Sequence, residues 1–223
     1  MNDLQRTSEW YTARLGKLTG SRIADATAKT KTGWGASRAN YMAELLIERL
    51  TGLPTERYTN AAMDWGTQFE PEALAVYEGR SLDVITLTGF VPHPDILMSG
   101  CSPDALVAVD GMAEIKCPNT ATHIDTVLGA PIDERYIKQM QWQMACCGRA
   151  WCDWVSYDPR LPEKLRIVVR RVDRDDKLIA KLEGEAGIFL AELAEKCHRL
   201  SAMIEGNDDT TLRQLKASVE LTA

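Results

Sequence analysis

Residues 102–118 read SPDALVAVDGMAEIKCP, and this stretch decides the fold. Two short apolar runs, Ala105–Val109 and Met112–Lys116, flank Asp110-Gly111. An Asp-Gly pair between alternating apolar runs is a strong hairpin signal. A two-residue turn there sets position 105 against 116 and position 107 against 114. Side chains two apart on a strand share a face, so Glu114 and Lys116 point the same way. Asp104 then lies at the base of the first strand, beside the Glu/Lys end. Strict alternation would turn it to the other face, but Pro103 cannot donate to a ladder and breaks that alternation.

Two carboxylates side by side repel, and each raises the other's pKa. A divalent cation removes that cost, and oxygen-only ligation favours Mg²⁺ or Mn²⁺ over zinc. A lysine beside such an ion can orient or deprotonate a water while the ion polarises a phosphoryl oxygen. Pro-Asp followed by Glu-x-Lys is therefore a pattern for phosphodiester hydrolysis. The spacing alone is a weak signal, because short patterns of common residues recur by chance. The hairpin context strengthens it. So does the lack of a Walker A run, a Rossmann glycine fingerprint, G-x-S-x-G or H-E-x-x-H.

Outward from this hairpin, helices alternate with short strands. Arg6 to about Gly16 is predicted as a short helix with Ser8 as a candidate N-cap. A second short helix runs from Thr19-Gly20-Ser21 to Ala28. A basic, glycine-containing loop covers 29–37, and a helix covers 38–51, ended by Gly52 and Pro54. Trp65, Phe69, Ala73 and Val76 recur at helical spacing over 64–79, with a kink or a helix start expected at Pro71. Leu82–Val91, Ile96–Cys101, Trp151–Tyr157 and Leu165–Val172 read as strands. Residues 132–148 and Leu178–Met203 read as helices, and Gly206–Ala223 as a partly ordered tail. The fold class is α/β or α+β: one domain over 1–223, with a central mixed sheet of about five strands flanked by helices.

A chain of 223 residues with 45% hydrophobic and 26% charged side chains buries about 70% of its unfolded surface. Collagen-like, low-complexity and disordered classes are excluded. No apolar run approaches the roughly 18 residues of a membrane span. The N-terminal MNDLQRTSEWY lacks the apolar stretch of a signal peptide. A cytosolic location is expected, and the six cysteines then read as free thiols. They contain no C-x-x-C pair, and His93, His123 and His198 lack ligand spacing, so structural zinc or an iron–sulfur cluster is not expected. Net charge is −6, yet residues 1–40 hold seven basic against three acidic side chains, a local +4. A basic arm on an acidic body can bind polyanions locally.

Five blocks in order resemble the phage lambda exonuclease family, also described as YqaJ-like viral recombinases. They are EWYTARLGKLTGSRIA (9–24), WGTQFEPEALAVYE (65–78), SGCSPDALV (99–107), AEIKCP (113–118) and YIKQMQWQMACCGRAWCDWVSYDPR (136–160). The resemblance spans Glu9 to Arg160. It implies a restriction-endonuclease-like PD-(D/E)xK core and Mg²⁺-dependent 5′→3′ degradation of linear duplex DNA to mononucleotides. It also implies a ring-shaped homotrimer and a single-strand annealing protein as partner, with the outer face of 178–203 or the tail after Glu205 as its docking surface.

Carried onto this chain, Asp104 and Glu114 are the implied metal ligands, with the Ile115 carbonyl as a third oxygen. Lys116 positions or activates the water. Glu70 supports a second metal ion, with Glu72 as the fallback because Pro71 follows Glu70. Gln139 faces the site, with Gln141 and Gln143 as alternatives. Arg14 is the implied reader of a 5′-phosphate, since a guanidinium gives two parallel hydrogen bonds to phosphate oxygens. Thr19, Ser21 and Ser102 add hydroxyls, and a helix start adds N–H groups. Ser21 is as readily a plain N-cap. Lys29 and Lys31 are implied DNA contacts. Met63 is an apolar wedge at the duplex end, or else a core methionine. Trp10 reads as core, with support of Arg14 as the alternative, and Trp65, Trp142, Trp151 and Trp154 read as core.

Overall fold

The computed structural model describes residues 4–55 and 61–220, with side chains to residue 206. In chain order the elements are α1 (Ser8–Arg14), β1 (Leu18–Thr19), a 3-10 turn (Gly20–Arg22), α2 (Ile23–Ala26), β2 (Lys29–Thr30), β3 (Gly33–Trp34), α3 (Ala36–Thr51) and α4 (Ala61–Ser81). Then follow β4 (Ile85–Thr86), β5 (Val91–Pro92), β6 (Ser99–Cys101), β7 (Ala105–Val107), β8 (Gly111–Lys116), α5 (Thr120–Val127), α6 (Glu134–Cys147), β9 (Trp151–Tyr157), β10 (Ile167–Asp173) and α7 (Asp176–Glu220). The central sheet has the order β10-β9-β8-β7-β4, parallel only between β8 and β9. A smaller sheet, β1-β6-β5, lies beside it.

Alternation along the central strands builds two faces. Ala113, Ile115, Val155 and Tyr157 pack against Ala73, Leu74 and Tyr77 of α4. Met112, Cys152 and Trp154 pack against Met140 and Met144 of α6. Trp142 and Cys146, also on α6, meet a further layer made by α2, α3 and α7, with Tyr41, Leu45, Leu182 and Phe189 at its centre. So α6 is covered on both sides, and its middle is buried throughout from Gln139 to Cys146. Its ends are well marked: Asp133 caps the first turn at the Arg135 N–H, and Gly148 closes the helix at φ +61°, where a side chain would be strained.

Several boundaries depart from the sequence expectation. The 105–116 hairpin has a three-residue loop, so Ala105 faces Ala113 and Val107 faces Gly111, three residues out of the expected register. Gly111 belongs to the strand because it packs on the Trp151 ring, where a Cβ would lie 2.1 Å from the indole. Ala108 takes up the turn in its place at φ +49°. The N-cap of α1 is Thr7, not Ser8. The basic loop at 29–37 contains the β2–β3 hairpin, and the helix over 120–127 was not foreseen. Residues 82–91 form strand only at Ile85–Thr86 and at the start of β5. Helix α4 runs through Pro71 and neither starts nor stops there. The last helix continues to Glu220, where a tail was expected, and its side chains after 206 lie outside the described residues.

All six cysteines are free. His123 is buried with both ring nitrogens engaged, at 2.7 Å to Ser156 Oγ and 2.9 Å to the Leu165 carbonyl. Among the described residues, no helix is long and apolar enough to cross a membrane. Trp142 and Trp154 are core residues, and half-buried Trp65 and Trp151 pack against it.

Phe189 is fully buried and stacks on Tyr41 at 5.7 Å between ring centres. Phe189→Ala is expected to cost about 3–5 kcal/mol, read as a fall in the urea midpoint. The neighbouring Ile188 is half exposed, so Ile188→Ala should shift stability by less than about 0.5 kcal/mol.

Candidate active site

Glu114 sits in the middle of the chemistry-bearing end of the sheet. It is on the α6 face of β8 and only 1% exposed. A buried carboxylate needs donors, and three reach it. Gln139 Nε2 donates to Oε1 at 2.6 Å, Gln143 Nε2 donates to Oε2 at 2.7 Å, and the Lys116 ammonium pairs with Oε1. Gln139 and Gln143 are one helical turn apart, so both reach the same carboxylate. Gln143, an alternative at the sequence level, thus acts together with Gln139. Gln141 points elsewhere: it donates to the Asp173 carbonyl and accepts from the Asp175 N–H.

Asp104 lies where β7 has run out. Its Oδ2 accepts the Ile115 N–H at 2.6 Å, continuing the ladder in place of a backbone carbonyl. In the observed register Ala105 faces Ala113, so alternation itself sets Asp104 opposite Glu114, and the break expected at Pro103 is not needed. Burial first, then the neighbouring Glu114 and Glu70 charges, push the Asp104 carboxyl well above its ordinary range. Burial also raises Glu70, against the pull of Arg6. Burial works against the Lys116 ammonium, but Glu114 and Asp104 outweigh it and keep the amine protonated more firmly than usual. The Tyr136 ring lies 5.1 Å from its Nζ. Sequence reasoning did not single out Tyr136, and a lone aromatic on a helix carries no such signal.

Glu70 projects from α4 toward the same place. It lines a cavity of about 220 Å³ with Asp104 and Ile115. Its Oε2 accepts from Arg6 Nη2 at 2.8 Å. Glu72 is committed elsewhere, accepting the Tyr157 hydroxyl at 2.6 Å, so the fallback is not the residue at the cavity. The Asp104 and Glu70 carboxylates line the cavity, and oxygen donors are the kind a hard divalent cation prefers. Among the described residues, no three acidic, His or Cys side chains are gathered into a cluster able to hold a metal.

Two residues before Asp104, Ser102 joins a second cluster. Its Oγ accepts from Arg14 Nη1 and from Trp10 Nε1, both at 2.9 Å. The Arg14 guanidinium lies over the Trp10 ring at 4.1 Å. Parallel pairing of β1 with β6 sets Thr19 against Gly100, and so brings Thr19 and Ser21 alongside the approach to Ser102. The Thr19 and Ser21 hydroxyls are 3.5 Å apart. The Thr19 N–H, expected to be available to an anion, instead donates to the Tyr41 hydroxyl. Met63 is exposed and lines a cavity of about 430 Å³ with Arg6, Trp10 and Arg14, so it is not a core methionine.

The basic arm is largely neutralised inside the molecule. Lys29 pairs with Glu185 at 2.6 Å, Arg38 with Glu192 and Arg22 with Glu44, each at 2.8 Å. Lys29 is thus tied to α7. Lys31 stays exposed in the β2–β3 turn.

The family model for the YqaJ-like viral recombinase domain matches residues 9–150. The chain belongs to this family. It is similar to the alkaline exonuclease LHK-Exo from Laribacter hongkongensis at 50% identity, TM-score 0.83, over 90% of this chain and 99% of that one. The structure of LHK-Exo in complex with dAMP gives the same identity and coverage at TM-score 0.84. A phage-related exonuclease from Haemophilus somnus 129PT shares the fold at 14% identity and TM-score 0.66, over 84% of this chain and 96% of that one. No curated protein matches the chain. The YqaJ-like chain is thus an exonuclease-family protein with the mixed-sheet PD-(D/E)xK architecture.

The three donors on Glu114 carry a stability consequence. Gln143→Ala leaves Glu114 Oε2 without its Gln143 donor and should cost about 1–3 kcal/mol in chemical denaturation with EDTA. Gln68 is exposed on α4, and Gln68→Ala should stay within about 0.5 kcal/mol of the parent. Equal effects of the two would show that Glu114 does not depend on Gln143.

Proposed function

We propose that this protein is a Mg²⁺-dependent 5′→3′ exonuclease that degrades one strand of linear duplex DNA from 5′-phosphorylated ends and releases mononucleotides. The observation that carries this reading is the adjacency of two clusters along one strand end. Glu114 and Lys116 pair at the strand end beside Asp104, Glu70 shares a cavity with Asp104, and two residues before Asp104 Ser102 is held by Arg14 and Trp10. A terminal phosphate at Arg14 sets the first phosphodiester beside the carboxylates. The crystal structure of the similar LHK-Exo with dAMP supports a mononucleotide product.

Asp104, Glu114, Glu70 and the Ile115 carbonyl would hold the ion, one or two per site, and Mn²⁺ has the same ligand preference as Mg²⁺. Bound there, it supplies a Lewis acid for the phosphoryl oxygen and an acidified water. Lys116, fixed by Glu114, orients the attacking water and faces the charge that develops on the phosphate. Gln139 and Gln143 keep Glu114 in place, so the ligand does not reorganise during the reaction. Arg14 binds the 5′-phosphate through two parallel N–H donors, with hydroxyls of Ser102, Thr19 and Ser21 beside it. Met63, exposed on the rim, is placed to wedge apart a duplex end.

The remaining assignments extend the same proposal. A homotrimeric ring enclosing the duplex would let an acidic protein stay on DNA without tight binding, since non-specific affinity falls steeply with salt. The 3′ strand left behind would pass to a single-strand annealing protein. The outer face of α7, with exposed Ile188, Leu200, Met203 and Ile204, is a candidate surface for it.

Linear duplex with a 5′-phosphate, the same duplex with a 5′-hydroxyl, and closed circular duplex test this reading. With Mg²⁺, mononucleotides should form from linear DNA only, fastest with the phosphate, and EDTA should stop the reaction. A cut circle would indicate an endonuclease. Asp104→Ala and Lys116→Ala should each lower the rate at least about 1000-fold, the scale of losing a transition-state contact, with the fold retained by circular dichroism. Arg14→Ala should slow phosphorylated ends about tenfold more than hydroxyl ends, and equal slowing would remove its role as phosphate reader.

A further inference from the structure

Arg6 stands between the two clusters. It lines the cavity that holds Glu70 and Asp104, and also the one that holds Trp10, Arg14 and Met63. Its backbone is left-handed, with φ +64°, a region that non-glycine residues enter at a cost. The residues on either side hold it there. Gln5 Nε2 donates to the carbonyls of Thr88 at 3.2 Å and Pro103 at 2.8 Å, so the segment is fastened to the turn that presents Asp104. Thr7 accepts from the Trp10 N–H and caps α1. A strained residue clamped from both sides is a residue whose direction the fold specifies.

That direction is toward Glu70. The ion pair measures 2.8 Å, with side chains 36% and 31% exposed. A pair this open to water is weak and exchanges readily. While it persists, Glu70 serves a guanidinium, in keeping with the missing closed metal cluster among the described residues. A guanidinium released from Glu70 has the fork geometry that suits a phosphate, and the Arg14 cavity adjoins it.

We propose that Arg6 is a placeholder cation that holds Glu70 in the metal-free protein, yields it to the divalent ion, and then turns to a phosphate of the terminal nucleotide. The proposal rests on the metal-dependent nuclease reading above. It makes the N-terminal segment part of the site and couples ion loading to DNA engagement.

Mn²⁺ binding by calorimetry without DNA, and binding of a 5′-phosphorylated duplex with phosphorothioate end linkages in Ca²⁺, test it on the parent, Arg6→Ala and Arg6→Lys. Arg6→Ala removes a competitor, so Mn²⁺ should bind about threefold tighter. The same variant loses a phosphate contact, so DNA should bind about tenfold more weakly and the salt slope should fall by about one. Arg6→Lys should keep the salt slope but recover only part of the DNA affinity, because an ammonium lacks the fork. Opposite signs for ion and DNA are the signature. Weaker Mn²⁺ binding by Arg6→Ala would make Arg6 a mere support for Glu70 and overturn the proposal, as would unchanged DNA affinity. A parent protein that binds no Mn²⁺ would instead overturn the metal-dependent reading itself.

Discussion

A carboxylate with 1% of its surface exposed is the constraint around which this molecule is arranged. A carboxylate in the interior needs donors, and Glu114 has three. Meeting that need fixes the register of α6 on the sheet, because Gln139 and Gln143 must both reach β8. It fixes Lys116 on the same face, two residues along the strand. It also explains why α6 is covered on both sides: a helix that carries glutamines inward must bury its other face against α2, α3 and α7 to hold them there. The third layer of the fold therefore supports the glutamines that hold Glu114.

Charge follows the same logic. The basic N-terminal segment sits on an acidic body, and the structure uses much of that opposition internally, through Arg22, Lys29 and Arg38. Arg6 pairs with Glu70, Lys116 pairs with Glu114, and Arg14 donates to Ser102 two residues before Asp104. The chain as a whole carries a net charge of −6.

The sequence announced the site better than the strand lengths. Glu114 and Lys116 sharing a face was legible because strand alternation is a local rule, whereas Asp104 was set beside them through a Pro103 break that the observed register makes unnecessary. Gln139 was legible beside its helical neighbours, but choosing among 139, 141 and 143 required the helix to be docked. The hairpin register was misread by three residues because the Asp-Gly signal is a turn preference, and the Trp151 ring across the sheet claims Gly111 for the strand. That override is tertiary and leaves no trace in the hairpin itself. The Lys29–Glu185 pair was not legible, because the two residues lie 156 positions apart in sequence. Arg6 carried no signal at all: its meaning comes from Gln5 and Thr7 fastening it beside Glu70.

The most direct test of the central claim is an anomalous-scattering map of crystals grown with Mn²⁺. The account predicts a peak bounded by the Asp104 and Glu114 carboxylates and the Ile115 carbonyl, with Glu70 turned toward it and the Arg6 guanidinium withdrawn. A protein that cleaves DNA with Mn²⁺ but binds the ion away from Asp104 and Glu114 would contradict the account.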